Sequence, residues 1–110
     1  MSEVNDWLED KYPILWNGVR MRVEFGTYAM DNSTSISLMY WDEDMNMEAP
    51  YAVATVYAEG VELEEDEVVI KDYSENEGIL KMLIDNKIVN KSHAKVPLGF
   101  AEGHICQLVK

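Results

Sequence analysis

The stretch from Val68 to Leu83 constrains the fold most, because it joins a short strand to the one convincing helix of the chain. Three consecutive β-branched residues open it and favour a β-strand over a helix start. Apolar residues then recur at spacings of one, three and four from Ile79 to Ile84, which is typical of a helix with one apolar face. A helix of about three turns over residues 75–85 is unstable alone in water. It must therefore pack on a sheet built from other strands.

The two ends of this helix carry their own signals. Ser74 is followed three residues later by Glu77, the spacing of a capping box, so we predict that the Ser74 hydroxyl caps the helix. Asn86 is a suitable C-terminal stop, since asparagine tolerates a left-handed conformation.

Strand patterns account for most of the remaining chain. Residues 19–25 alternate between apolar and charged side chains. After a polar turn, Ile36, Leu38 and Tyr40 form the inner set of a second strand, which predicts an antiparallel hairpin. Gly26 breaks the alternation and predicts a bulge. Further strands are expected at Tyr51–Ala58 and His104–Val109, with an edge strand around Pro97.

These elements together predict one α+β domain spanning residues 1–110. We expect an antiparallel meander sheet of about five or six strands, with the main helix, at about residues 75–85, on one face. A short amphipathic helix is expected at the N-terminus, ending before Pro13.

The charge of the chain is large and uneven. Its formal net charge is −12; residues 1–67 carry 16 acidic and 3 basic side chains, whereas residues 68–110 carry 5 and 6. Such a surface disfavours direct binding to nucleic acid and to anionic membranes, and it favours a basic protein partner. The single cysteine, the acidic N-terminus and the lack of a long apolar run predict a cytoplasmic protein.

Two acidic segments, residues 42–48 and 59–67, are the candidate binding sites, and aromatic side chains lie near them in sequence. Carboxylates and aromatic rings together suit a protein interface. The predicted partner-binding residues are Asp42, Glu43, Asp44, Glu48, Glu59, Glu62, Glu64, Glu65, Asp66, Glu67, Trp41 and Tyr57.

Chemical alternatives are less well supported by the residues. Asp42-x-Asp44-x-Asn46-x-Glu48 imitates the start of a calcium loop, but Met47 and Val53 stand where glycine and glutamate are needed. His104-x-Cys106 could begin a zinc site, yet no second pair follows at ligand spacing. Cys106 could also act as a nucleophile with His93 or His104 as base, although no local signature supports it. We therefore predict no metal, no cofactor and no enzymatic activity.

Several motifs, taken in order, carry a resemblance to a known family. They are Trp16-x-Gly18, Pro50-Tyr51-Ala52-x-Ala54-Thr55-Val56, Leu63 with Val68-Val69-Ile70, and Gly99-Phe100. The chain resembles, over nearly its whole length, a family of small proteins carried by phages, plasmids and conjugative elements. That family has no established activity and offers no catalytic residues. The resemblance implies a prokaryotic host cytoplasm and an accessory role in a mobile element.

The leading hypothesis is a non-enzymatic interaction protein that uses its acidic segments to engage a basic host protein. In its sharper form, the carboxylates imitate nucleic-acid phosphates and block a host defence or DNA-binding protein. The alternative is a small-molecule binding module on an aromatic side of the sheet near Trp41, Tyr51 and Tyr57. Self-association through a free strand edge is also open, because Pro97 protects only one stretch.

Overall fold

The computed structural model describes residues 3–109, which contain two helices and seven strands. The helices are α1 (Glu3–Lys11) and α2 (Ile79–Asp85). The strands are β1 (Ile14–Trp16), β2 (Val19–Thr27), β3 (Thr34–Asp42), β4 (Met47–Val53), β5 (Glu67–Lys71), β6 (Ala94–Leu98) and β7 (Ala101–Gln107). The α+β class, the antiparallel pairing and the hairpin of β2 with β3 are confirmed.

The strands form two antiparallel sheets, so the prediction of one sheet with five or six strands was wrong. The first is a meander in the order β1-β2-β3-β4, and the second has the order β5-β7-β6. The chain passes between them directly after β4. Ala54 donates its N–H to the Ile36 carbonyl at 2.8 Å, whereas its own carbonyl accepts the Lys71 N–H at 2.9 Å. The apolar run expected as one strand, Tyr51–Ala58, is therefore divided between two sheets.

The bulge lies at a different place from the one expected. Gly26 pairs regularly with Ser35. The register shifts instead between Leu38 and Met39 of β3, where Tyr51 is the extra residue of β4.

The main core lies where the two sheets and α2 meet. Met21, Ile36 and Leu38 from the first sheet join residues of β5, β7 and α2 in one buried cluster. On the opposite face of the second sheet, Val61 and Leu63 pack against a smaller cluster. The second acidic segment, residues 59–67, is thus fixed to the second sheet by its own apolar side chains.

Helix α2 begins four residues later than expected and is capped by a different residue. Ser74 lies in a 3₁₀ turn with φ of 53° and makes no capping hydrogen bond, so the capping-box prediction was wrong. The Asp72 carboxylate accepts the N–H groups of Gly78 and Leu80, at 3.1 and 2.7 Å. The helix stops at Asn86 as predicted, but Asn86 has a φ of −91° and the left-handed residue is Lys87, with a φ of 60°. The Asn86 side-chain amide donates to the Met82 carbonyl at 2.8 Å.

No helix in the described part of the chain is long and apolar enough to cross a membrane.

Candidate functional site

The two acidic segments lie at opposite ends of β3. Asp42 is the last residue of this strand, whereas Ser33 directly precedes its first residue. A groove separates the turn at residues 31–33 from residues 61–65, which places the second acidic segment at the Ser33 end. Since a nine-residue strand spans about 26 Å, the two segments cannot present one continuous surface.

The first acidic segment is a tight hairpin turn rather than an open loop. The Asp42 carboxylate accepts the backbone N–H groups of Asp44 and Met45, at 3.0 and 3.2 Å, and so orders the turn. Glu43 and Asp44 remain exposed. No group of three acidic, histidine or cysteine residues within the described range could hold a metal ion.

Glu48 belongs to strand β4 and is engaged within the protein. Its carboxylate binds the Arg22 guanidinium through both oxygens and accepts the Tyr12 hydroxyl at 2.8 Å. The Arg22 hydrogen bonds hold the pKa of Glu48 at about 2, well below its ordinary value of 4.5. This carboxylate stabilises the fold and is not free for a partner.

Glu67, the last residue of the second acidic segment, is also bound within the protein. It opens β5, and its carboxylate accepts the Glu64 N–H at 2.8 Å and lies 2.6 Å from His93 Nε2. Asp66 is half-buried, and its carbonyl accepts the Leu108 N–H. These contacts anchor the segment to the second sheet.

Four carboxylates of this segment remain exposed: Glu59, Glu62, Glu64 and Glu65. None of the four forms an ion pair with another described residue. Their charge is therefore available to a partner.

The last three of these carboxylates line an open groove of about 510 Å³. Asp31 lies on the opposite wall, where the Ser33 side chain and N–H donate to its carboxylate and lower its pKa. Val61 and Leu63, both half-buried, also contribute to the lining. The groove therefore combines several negative charges with a short apolar base.

The aromatic residues do not converge on one binding surface. Trp41 packs edge-on against Trp7 at 5.4 Å, beside the first acidic turn. Tyr51 contacts Trp16, and Tyr57 contacts Tyr28 at 6.4 Å. The contacts thus place the three aromatic residues of the small-molecule hypothesis in three separate ring clusters.

Cys106 is fully buried in the core, where burial raises the pKa of its thiol to about 11. Its sulfur contacts the His104 carbonyl at 3.8 Å, and the His93 ring is bound to Glu67. No histidine ring of the described residues is hydrogen-bonded to the sulfur, and a buried, protonated thiol is a poor nucleophile.

Sequence reasoning missed Asp31, Val61 and Leu63 as parts of the candidate site. Residues 61–65 place apolar side chains between acidic ones, a pattern that could have shown that the segment is anchored rather than free. Nothing local in the sequence pairs that segment with the turn at residues 31–33.

No protein-family model matches the chain, and comparisons with curated proteins and with solved structures also find no match.

Proposed function

We propose that this protein is a non-enzymatic interaction protein whose acidic groove binds a basic segment of another protein. The groove is the one between residues 31–33 and residues 61–65. The observation that carries the proposal is the set of exposed, unpaired carboxylates on a segment that Val61, Leu63 and Glu67 fix in place.

Fixed charge favours binding because little has to be ordered on association. A carboxylate on a flexible loop loses conformational entropy when it binds, which offsets much of the attraction. Here the backbone is already held by apolar packing and by the Glu67 carboxylate. Net charge far from zero also speeds the approach of a basic partner.

The biological setting that we propose follows from the family resemblance. The protein would act in a prokaryotic cytoplasm as an accessory protein of a phage, plasmid or conjugative element. In the sharper form, its carboxylates occupy the phosphate-binding surface of a host defence or DNA-binding protein. The separation of the two acidic segments limits this mimicry to the groove, since the hairpin turn at Asp42 lies at the far end of β3.

The experiment is a salt titration with a ten-residue peptide rich in lysine and arginine. We compare the wild type with a variant in which Glu59, Glu62, Glu64 and Glu65 are replaced by glutamine. The matched control carries Glu43→Gln, Asp44→Asn, Glu75→Gln and Glu77→Gln, which removes the same four charges elsewhere.

The groove variant should bind the peptide about tenfold more weakly and with a smaller dependence on salt, because several screened ion pairs are lost. The control should change affinity about twofold or less. Equal losses in both variants would show that net charge alone attracts the peptide, and the proposal would be wrong. Binding that is insensitive to salt would also contradict it.

A further inference from the structure

Strand β2 has a free edge along much of its length. Strand β1 pairs only with Val19–Met21, so no described strand lies beside β2 from Arg22 to Thr27 on that side. The last four residues of β2 are all exposed, and the Phe25 side chain is 57% exposed. An open edge with an exposed aromatic ring is a site for strand pairing.

The pairing pattern shows which backbone groups are free. The two-residue turn at Asn17 and Gly18 makes Trp16 and Val19 a hydrogen-bonded pair, so the odd-numbered residues of β2 face the β1 side. Even-numbered residues face β3, in agreement with the Tyr28 N–H that donates to the Ser33 carbonyl at 2.8 Å. The N–H and C=O groups of Val23, Phe25 and Thr27 therefore point to the open edge.

Of the outer strands, β1 has only three residues, and β4, β5 and β6 are better protected than the open part of β2. Strand β6 contains Pro97 and strand β4 contains Pro50, and a proline has no N–H to offer a neighbour. The outer side of β5 is already paired, because the Val56 N–H donates to the Val69 carbonyl at 3.0 Å.

We propose that β2 pairs with β2 of a second copy of this chain, antiparallel and across a two-fold axis at Phe25. In this register Phe25 faces Phe25 of the second copy, and Val23 faces Thr27 of the second copy. The three free N–H and C=O groups of each copy then bond to the same groups of the other.

The charges and the side chains fit this register. Glu24, the one acidic residue between Val23 and Thr27, stands opposite Gly26 of the second copy, so no like charges face each other directly. The two exposed Phe25 rings meet on one face of the joined sheet and leave water.

The lengths of the strands fit as well. Strand β1 begins opposite Met21, and β2 ends at Thr27. In the proposed register Thr27 of the second copy lies opposite Val23, which is two residues short of Met21 in the direction of the incoming strand. The incoming strand therefore ends before it would meet β1. In a second copy, the segment Val23–Thr27 has the same length as the open edge that it would cover. A strand of another protein need not have that length, so the match favours a second copy as the occupant.

Sedimentation equilibrium of the full chain tests the dimer. The wild type should associate reversibly below about 200 µM. Phe25→Glu should weaken association at least tenfold, because it brings like charges together at the two-fold axis. The matched control is Phe100→Glu, which changes a fully exposed phenylalanine at the β6–β7 turn and should leave association unchanged.

A wild type that stays monomeric at about 200 µM would overturn the proposal. Equal effects of the two substitutions would overturn it too.

Crosslinking tests the register without relying on a charge change. In the proposed dimer the Cα atoms at position 25 lie about 5.5 Å apart, within the range of a disulfide. Those at position 27 lie about 14 Å apart. Under mild oxidation Phe25→Cys should form a covalent dimer and Thr27→Cys should not, while the buried Cys106 stays unreacted. Crosslinking of both variants at the same rate would exclude this register.

Discussion

The Arg22 guanidinium holds both carboxylate oxygens of Glu48, with Nε 2.6 Å from Oε2 and Nη2 2.5 Å from Oε1. The two residues lie on β2 and β4, which are separated by β3. The Tyr12 hydroxyl completes the site, and Tyr12 itself is fully buried. The contact thus ties the end of α1 to the outer strand of the first sheet.

Replacing Glu48 by glutamine should destabilise the protein. The change removes the charged acceptor of Tyr12 and one of the two carboxylates that pair with Arg22, the other being Glu24, which costs about 1–3 kcal/mol. Urea unfolding measures this loss. Glu43→Gln in the exposed turn is the control and should change the free energy of unfolding by less than about 0.5 kcal/mol. If Glu48→Gln leaves the free energy of unfolding unchanged, the ion pair contributes nothing to the stability of the fold.

The same residue should make stability depend on acid pH. Because the folded pKa of Glu48 is about 2 and its ordinary value is 4.5, its contribution is complete above about pH 5 and is lost as the pH falls towards 2. After solvent screening we expect a change of about 1–2 kcal/mol. Unfolding curves of the wild type and Glu48→Gln should therefore converge in acid. A constant gap between them from pH 7 to pH 2.5 would contradict the assignment.

Asp72, and not Ser74, should set the stability of α2. Asp72→Ala removes the acceptor for two N–H groups and a negative charge near the helix start, so we expect a loss of about 1–2 kcal/mol. Ser74→Ala should cost less than about 0.5 kcal/mol, since its hydroxyl makes no capping bond. Thermal unfolding of the two variants decides between the two caps. A larger loss of stability in Ser74→Ala than in Asp72→Ala would show that Ser74 caps the helix.

Cys106 should resist alkylation in the folded protein. Burial raises the pKa of its thiol to about 11, so almost no thiolate is present at pH 8. Iodoacetamide should modify it at least a hundredfold more slowly in buffer than in about 8 M urea. Mass spectrometry follows the reaction. Equal rates in both conditions would mean that the thiol is accessible, and a nucleophilic role would need to be reconsidered.

The periodic parts of the fold could be read from the sequence, and the long-range contacts could not. Strand β2 and the apolar face of α2 follow from local alternation and helical spacing. The chain passes to the second sheet at Ala54, and no local pattern encodes either that crossing or the bulge at Tyr51. The apolar pattern of residues 51–58 is equally compatible with one continuous strand and with a segment divided between two sheets.

In the candidate site, too, the long-range contacts could not be predicted from the sequence. Sequence reasoning found the carboxylates of the two acidic segments, but it missed Asp31 and treated those it found as equivalent. Glu48 is neutralised by an arginine 26 positions away, and Glu67 is bound by a histidine equally distant in sequence. The length of β3, rather than any motif, keeps the two acidic segments apart.

The proposed function depends most on where a basic partner binds. The direct measurement is a titration of the isotope-labelled protein with the lysine- and arginine-rich peptide, followed by backbone amide chemical shifts. We predict that the largest changes fall at residues 59–65 and 31–33. Changes concentrated at residues 43–46, or spread evenly over the acidic surface, would contradict the proposed groove.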